Sequence, residues 1–215
     1  MKRGFTLAEV LITLVIIGIV AAITVPSMIQ TTQKQEFVTA LKKANSTLKQ
    51  SMKLMEINNG YAPGDYSYLK ENNNFIEEFA KVTSFMRTCD SLRDCFGRDE
   101  FHRYTFLNGV DTQNAFNDGK VVITTDGISY VYAGEKFRNF GLSEEDYNNQ
   151  IGAIVVDVNG AEKKPNKSGM DVFLFFLVDG KGIVPAGSFD DKDCNRKELG
   201  GECAAKVLKE GKINY

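Results

Sequence analysis

One carboxylate, Glu9, stands in an otherwise uncharged run of 25 residues from Phe5 to Ile29. A carboxylate in so apolar a setting is costly and points to a cationic partner. Four cysteines, Cys89, Cys95, Cys194 and Cys203, can form disulfides or hold a metal. The oxygens of Asp157, Asn159 and Asp171 would converge if the strands expected around 151–158 and 172–178 pair, and calcium takes such oxygens. Lys163, Lys164 and Lys167 in the same loop oppose a cation, and no Glu occupies the twelfth loop position of an EF-hand. The other reading is that Asp157, Asn159 and Asn166 form Asx turns shaping a long hairpin loop. The single histidine, His102, has no local catalytic companions, and the chain lacks a nucleophile elbow, a phosphate-binding glycine loop and a paired-histidine motif. Nothing positive points to an enzyme.

The elements that must place these residues begin with the apolar run. As a helix, Phe5 to Ile29 would extend roughly 37 Å, enough to cross a bilayer core of about 30 Å. Lys2 and Arg3 precede it, so the positive-inside tendency keeps the N-terminus in the cytoplasm and the rest of the chain outside. A cleaved signal peptide would need a shorter apolar core and a better site than Ala21-Ala22-Ile23, and neither it nor a plain anchor explains Glu9.

The stretch Arg3-Gly4-Phe5-Thr6-Leu7-Ala8-Glu9-Val10-Leu11 resembles the leader and mature start of type IV pilins and type II secretion pseudopilins. The resemblance is dense from Lys2 to Pro26. It implies cleavage between Gly4 and Phe5 by a prepilin peptidase, N-methylation of Phe5, and an assembly role for Glu9 facing the amine of a neighbouring subunit. It also implies residence in the inner (cytoplasmic) membrane and then in a pilus or pseudopilus, with other pilin or pseudopilin subunits as partners.

Pro26 is expected to kink or loosen the helix by removing a donor. Beyond it, Phe37, Leu41, Ala44, Leu48, Met52 and Met55 recur at helical spacing, and Asn58-Asn59-Gly60 reads as a stop. The expected organisation is a leader, 1–4; a membrane and assembly half-helix, 5–29; an amphipathic half-helix, 30–57; and a head, 58–215. Within the head, a short helix is expected over Asn74–Met86 and a hairpin over 121–132 turning at Asp126-Gly127. Further strands are expected at 151–158, 172–178 and 183–185. The fold class is α+β, with one face of a small antiparallel sheet covering the helix stripe, as in a pilin head.

For a head outside the cytoplasm an even cysteine count favours disulfides. Local pairing, Cys89–Cys95 and Cys194–Cys203, is the simplest of three connectivities, and zinc lacks its C-x-x-C spacing. The tail from Cys194 to Tyr215 would be a stapled loop followed by a docking strand or extension. The net charge of −2 argues against nucleic acid as a general partner. The functional expectation is a structural filament subunit, a minor pilin or pseudopilin, that is not an enzyme and needs no cofactor unless the 157–171 loop takes calcium. The alternatives are a filament-borne module recognising a surface, a secreted substrate or DNA, and a signal-anchored secreted enzyme.

Overall fold

The computed structural model describes residue 4 and residues 6–72, 74–97, 104–112, 119–134 and 137–215. The chain divides into two compact units, Met1–Glu36 and Phe37–Tyr215. Helix α1 covers Leu7–Asn59 without interruption, and Pro26 lies inside it. In the first unit its side chains from Leu7 to Ile29 are exposed, among them Leu7, Ile17, Ile23 and Met28. This helix is long and apolar enough to cross a membrane.

In the second unit, α1 buries Phe37, Val38, Leu41, Ala44, Leu48, Ser51, Met52 and Met55. The three-and-four spacing of these residues puts them along one stripe, as helical geometry requires. Gly60, with φ 70°, follows the last turn, a backbone angle that glycine adopts at low cost.

After α1 come α2 (Ser67–Asn72), α3 (Phe75–Val82), β1 (Phe85–Cys89), α4 (Leu92–Phe96), β2 (Lys120–Thr124) and β3 (Ser129–Ala133). They are followed by α5 (Glu144–Asn148), β4 (Gln150–Asp157), β5 (Val172–Val178), β6 (Gly182–Pro185) and α6 (Cys203–Glu210). The strands form one antiparallel meander in the order β1-β2-β3-β4-β5-β6. The turn between β2 and β3 holds Asp126-Gly127, where Gly127 adopts φ 85° and donates its N–H to the Thr124 carbonyl at 2.9 Å. Lys43 of α1 reaches Asp126 of this turn at 2.7 Å.

Two local expectations are corrected. The helix expected over Asn74–Met86 ends at Val82, and Phe85 and Met86 belong to the edge strand β1. The tail forms α6, not a strand: it buries Ala204 and Val207 against the sheet side that receives α1, and Cys203 with Leu107 and Cys194. One sheet face covers the helix stripe as expected, and the other face is buried as well. Val122, Tyr130, Tyr132, Ile154, Val156, Phe173, Phe175 and Leu177 pack with α1, α3 and α6. The alternate residues Val121, Ile123, Val131, Ala153, Val155, Leu174 and Phe176 are also buried, under α4, Tyr104, Phe140, Leu142, Ala161 and Ala186. Successive strand residues point to opposite faces, so β4 and β5 are covered on both.

The second face is covered largely by irregular chain, so close backbone approach has to hold it. Gly187 donates to the Phe140 carbonyl at 3.0 Å. It adopts φ 81°, and a Cβ built there would lie 2.0 Å from the Glu202 carbonyl oxygen. Gly187→Ala is therefore expected to destabilise the second unit by about 2–4 kcal/mol, read as a lower urea midpoint at constant m-value. An unchanged midpoint would mean that the cover over this face moves freely.

Candidate functional site

At the start of α1, Thr6 and Glu9 form a reciprocal pair. The Thr6 N–H and hydroxyl both donate to Glu9 Oε2, each at 2.8 Å, and the Glu9 N–H donates to Thr6 Oγ1 at 3.3 Å. This is a capping box: two orphan N–H groups of the first turn gain acceptors, and the carboxylate lies at the positive end of the helix dipole. The spacing Thr6-Leu7-Ala8-Glu9 is itself the signal for it, and the sequence reading passed over Thr6. Glu9 is the acidic residue of the first turn, and around it Leu7, Val10, Leu11 and Ile12 are exposed. Hydrogen bonds from Thr6 reduce the cost of such a carboxylate but leave its charge uncompensated. Gly4 is exposed, with open space where a Cβ would be, whereas Lys2, Arg3 and Phe5 lie outside the described residues. Pro26 withholds the donor that the Ala22 carbonyl would otherwise receive. The nearby Thr24 hydroxyl donates to the Val20 carbonyl, at 2.9 Å, and not to that of Ala22.

Residues 1–25 match the family model of the prokaryotic N-terminal methylation motif. The chain carries the prepilin signature of type IV pilins and pseudopilins. That motif implies processing by a prepilin peptidase and assembly with other pilin subunits, and with the exposed apolar helix it fits membrane anchoring and incorporation into a filament. The chain has no significant match among curated proteins or solved structures.

In the second unit, Asp157 and Asp171 come together at the root of the loop between β4 and β5. Asp157 is the register partner of Val172, and the Val158 N–H donates to the Asp171 carbonyl at 2.9 Å. Both side chains are fully buried. Asp157 Oδ1 accepts from the N–H groups of Asn159 and Gly160 at 3.2 and 2.9 Å, an Asx turn, and Oδ2 accepts from the Tyr104 hydroxyl at 2.9 Å. The Asp171 oxygens accept from the N–H groups of Asn166 and Lys167 at 2.8 and 2.7 Å. Asn159 turns its amide nitrogen to the Lys163 and Lys164 carbonyls. The three residues considered for calcium thus make internal hydrogen bonds. Among the described residues, no group of three or more His, Cys, Asp or Glu side chains is placed to hold a metal ion.

Burial pushes both carboxyls above the ordinary carboxylate range, Asp157 further because the Asp171 charge adds to it. Tyr104, fully buried beside them, has its hydroxyl pushed up by burial and then by the Asp157 charge. Nothing in the local sequence announced Tyr104, which lies 53 positions from its partner.

Cys89 and Cys95 are joined by a disulfide, Cα–Cα 5.6 Å, tying β1 to α4. Cys194 and Cys203 are likewise joined, Cα–Cα 4.8 Å, tying the preceding loop to the first residue of α6. Closing such short loops is worth about 2–3 kcal/mol each on the chain-entropy account. Within the second loop, Asp193 accepts from the N–H groups of Leu199 and Gly201 at 2.9 and 3.0 Å and donates its own N–H to Glu202 at 2.7 Å. His102 lies outside the described residues.

Proposed function

We propose that the chain is a structural subunit of a type IV pilus or type II secretion filament, of the minor class, acting mechanically and not by catalysis. On this reading residues 1–4 are a leader removed by the peptidase between Gly4 and Phe5, and Phe5 becomes N-methylated. Residues 5–29 hold the chain in the inner membrane with its N-terminus cytoplasmic, residues 30–57 continue the helix, and the head, 58–215, lies outside. Glu9 of one subunit then pairs with the Phe5 amine of its neighbour, and the apolar helices pack side by side. No cofactor is needed.

The observation that supports this reading best is the isolated Glu9 carboxylate. It lies at the N-terminus of a continuous exposed apolar helix, inside the stretch that matches the methylation motif. Its hydrogen bonds come from uncharged groups of Thr6, so a cation from another chain gains a strong interaction in lipid.

The test is the intact mass and N-terminal fragment spectrum of the protein from its native membrane. A chain starting at Phe5 with one added methyl group is the expected result. A chain starting after Ala22 would mean conventional secretion and end the filament reading.

A further inference from the structure

Strand β1 ends the sheet: it pairs with β2 on one side, and among the described residues no strand pairs with its other side. Its residues from Phe85 to Thr88 are exposed. An edge of this kind presents N–H and C=O groups at strand spacing, which an extended backbone satisfies and a helix does not.

Both flanks of this edge are hollow. On the α3 side, a groove of about 420 Å³ is lined by Ile76, Ala80, Phe85 and Thr88. A second groove, of about 200 Å³, is lined by Met86, Arg87, Phe96 and Ile123, with Arg87 stacked over the Phe96 ring at 5.1 Å. Successive residues of an added strand point to opposite faces, so alternate side chains would enter alternate grooves.

The charges at the first groove select among extended segments. Lys120 is already paired with Glu77, and Lys81 with Glu78, so acidic side chains find no unpaired lysine there. Asp90, also at this groove and just past the end of β1, has no ion pair among the described residues and complements a basic side chain. A second copy pairing through β1 about a two-fold axis would point the two subunits in opposite directions, contrary to the head-to-tail contacts of a filament.

We infer that the β1 edge is a docking site for an extended segment of another polypeptide, added as a seventh strand, with apolar side chains on both faces and a basic residue near Asp90. The edge and its grooves are a property of the head; only the exclusion of a second copy as occupant rests on the proposed filament.

The test is selection of a displayed random dodecapeptide library on the full-length, disulfide-intact protein in detergent micelles. Enriched peptides are expected to alternate apolar residues and to carry Lys or Arg near one end. N-methylation of the peptide backbone at every second residue should weaken binding at least tenfold, while methylation at the intervening residues should not. Phe85→Glu and Met86→Glu, each on an exposed side chain of a different groove, should each weaken binding at least tenfold, and Asp90→Asn about threefold.

Three outcomes overturn the inference. One is the absence of any peptide whose binding depends on both Phe85 and Met86. Another is slow amide exchange along both sides of β1 before any peptide is added, showing the edge already covered. The third is a dimer of the chain that Met86→Glu dissolves, which would make a second copy the occupant.

Discussion

Glu9→Ala is expected to leave the chain in the membrane and to remove it from filaments. Taking one carboxylate out of an apolar run makes insertion easier, so the amount of membrane-bound protein should not fall. Assembly loses its ionic contact. A charge pair sheltered from water is worth several kcal/mol once both partners are present, and 1.4 kcal/mol is a factor of ten. The ratio of filament-borne to membrane-bound protein should therefore drop at least tenfold in sheared fractions.

The capping box makes a sharper comparison available. Glu9→Gln keeps an oxygen to accept from the Thr6 N–H and hydroxyl, so the helix start is preserved while the charge is gone. Thr6→Ala does the reverse: it removes the hydroxyl, costs about 1 kcal/mol of capping, and leaves the carboxylate in place. Glu9→Gln should fail as badly as Glu9→Ala, and Thr6→Ala should lose no more than about fivefold. If Glu9→Gln assembles normally, Glu9 serves only to start its own helix, and the intersubunit ion pair is wrong.

The second large effect is a loss of stability as pH rises. Asp157 and Asp171 have folded pKa values raised from 3.8, to about 8 and about 6, by burial and, for Asp157, by the neighbouring charge. The folded protein therefore binds more protons than the unfolded chain between these limits, and stability falls with pH across that window. The contribution is complete below about pH 4 and lost as pH passes 6 and then 8. Glu202, also raised by burial, acts in the same direction.

Opposing groups act at lower pH. Glu78, lowered by its bond to Lys81, and Asp65, lowered by its bonds to Ser67, favour folding only while ionised and stop helping as acid protonates them. The melting temperature of the full chain in detergent should thus be highest near pH 5 and drop towards pH 8, the stability change being on the order of 3 kcal/mol. Asp157→Asn keeps acceptors for the N–H groups of Asn159 and Gly160, removes one titrating group, and should flatten most of this slope. A wild-type melting temperature that stays level or rises from pH 5 to pH 8 would show that the folded pair does not hold protons more tightly than the unfolded chain.

Reading order along the chain explains which elements were legible. The stripe Phe37, Leu41, Ala44, Leu48, Met52, Met55 announces itself because all six positions lie on one helix and obey one period. Asp126-Gly127 is equally local, since the positive φ of Gly127 is met within the turn. Phe85 and Met86 continue the apolar pattern of α3 for one more turn, but they leave the helix for β1, where Phe85 pairs with Thr124 of β2, far along the chain. The tail from Cys203 forms α6 because Ala204 and Val207 find the α1 side of the sheet.

The second sheet face had a weaker trace. β5 reads Val-Phe-Leu-Phe-Phe-Leu-Val, with no polar residue alternating, as a strand covered on both sides should. What covers it is irregular chain with no period of its own. Such chain is held by meetings like Tyr104 with Asp157, or Gly187 with the Glu202 carbonyl, which no local window contains.

The N-terminal site was thus written almost entirely in the sequence. Its carboxylate, its capping threonine, its apolar surface and its methylation motif all fall between the first residue and Ile29, and helical geometry alone sets their relation. The carboxylate pair was decided by tertiary structure. Asp157 and Asp171 are two ordinary acids along the chain; only the pairing of β4 with β5 and the cover laid over that end make them dry neighbours. Removing water from both is what raises their proton affinity, and that removal requires residues contributed from far along the chain.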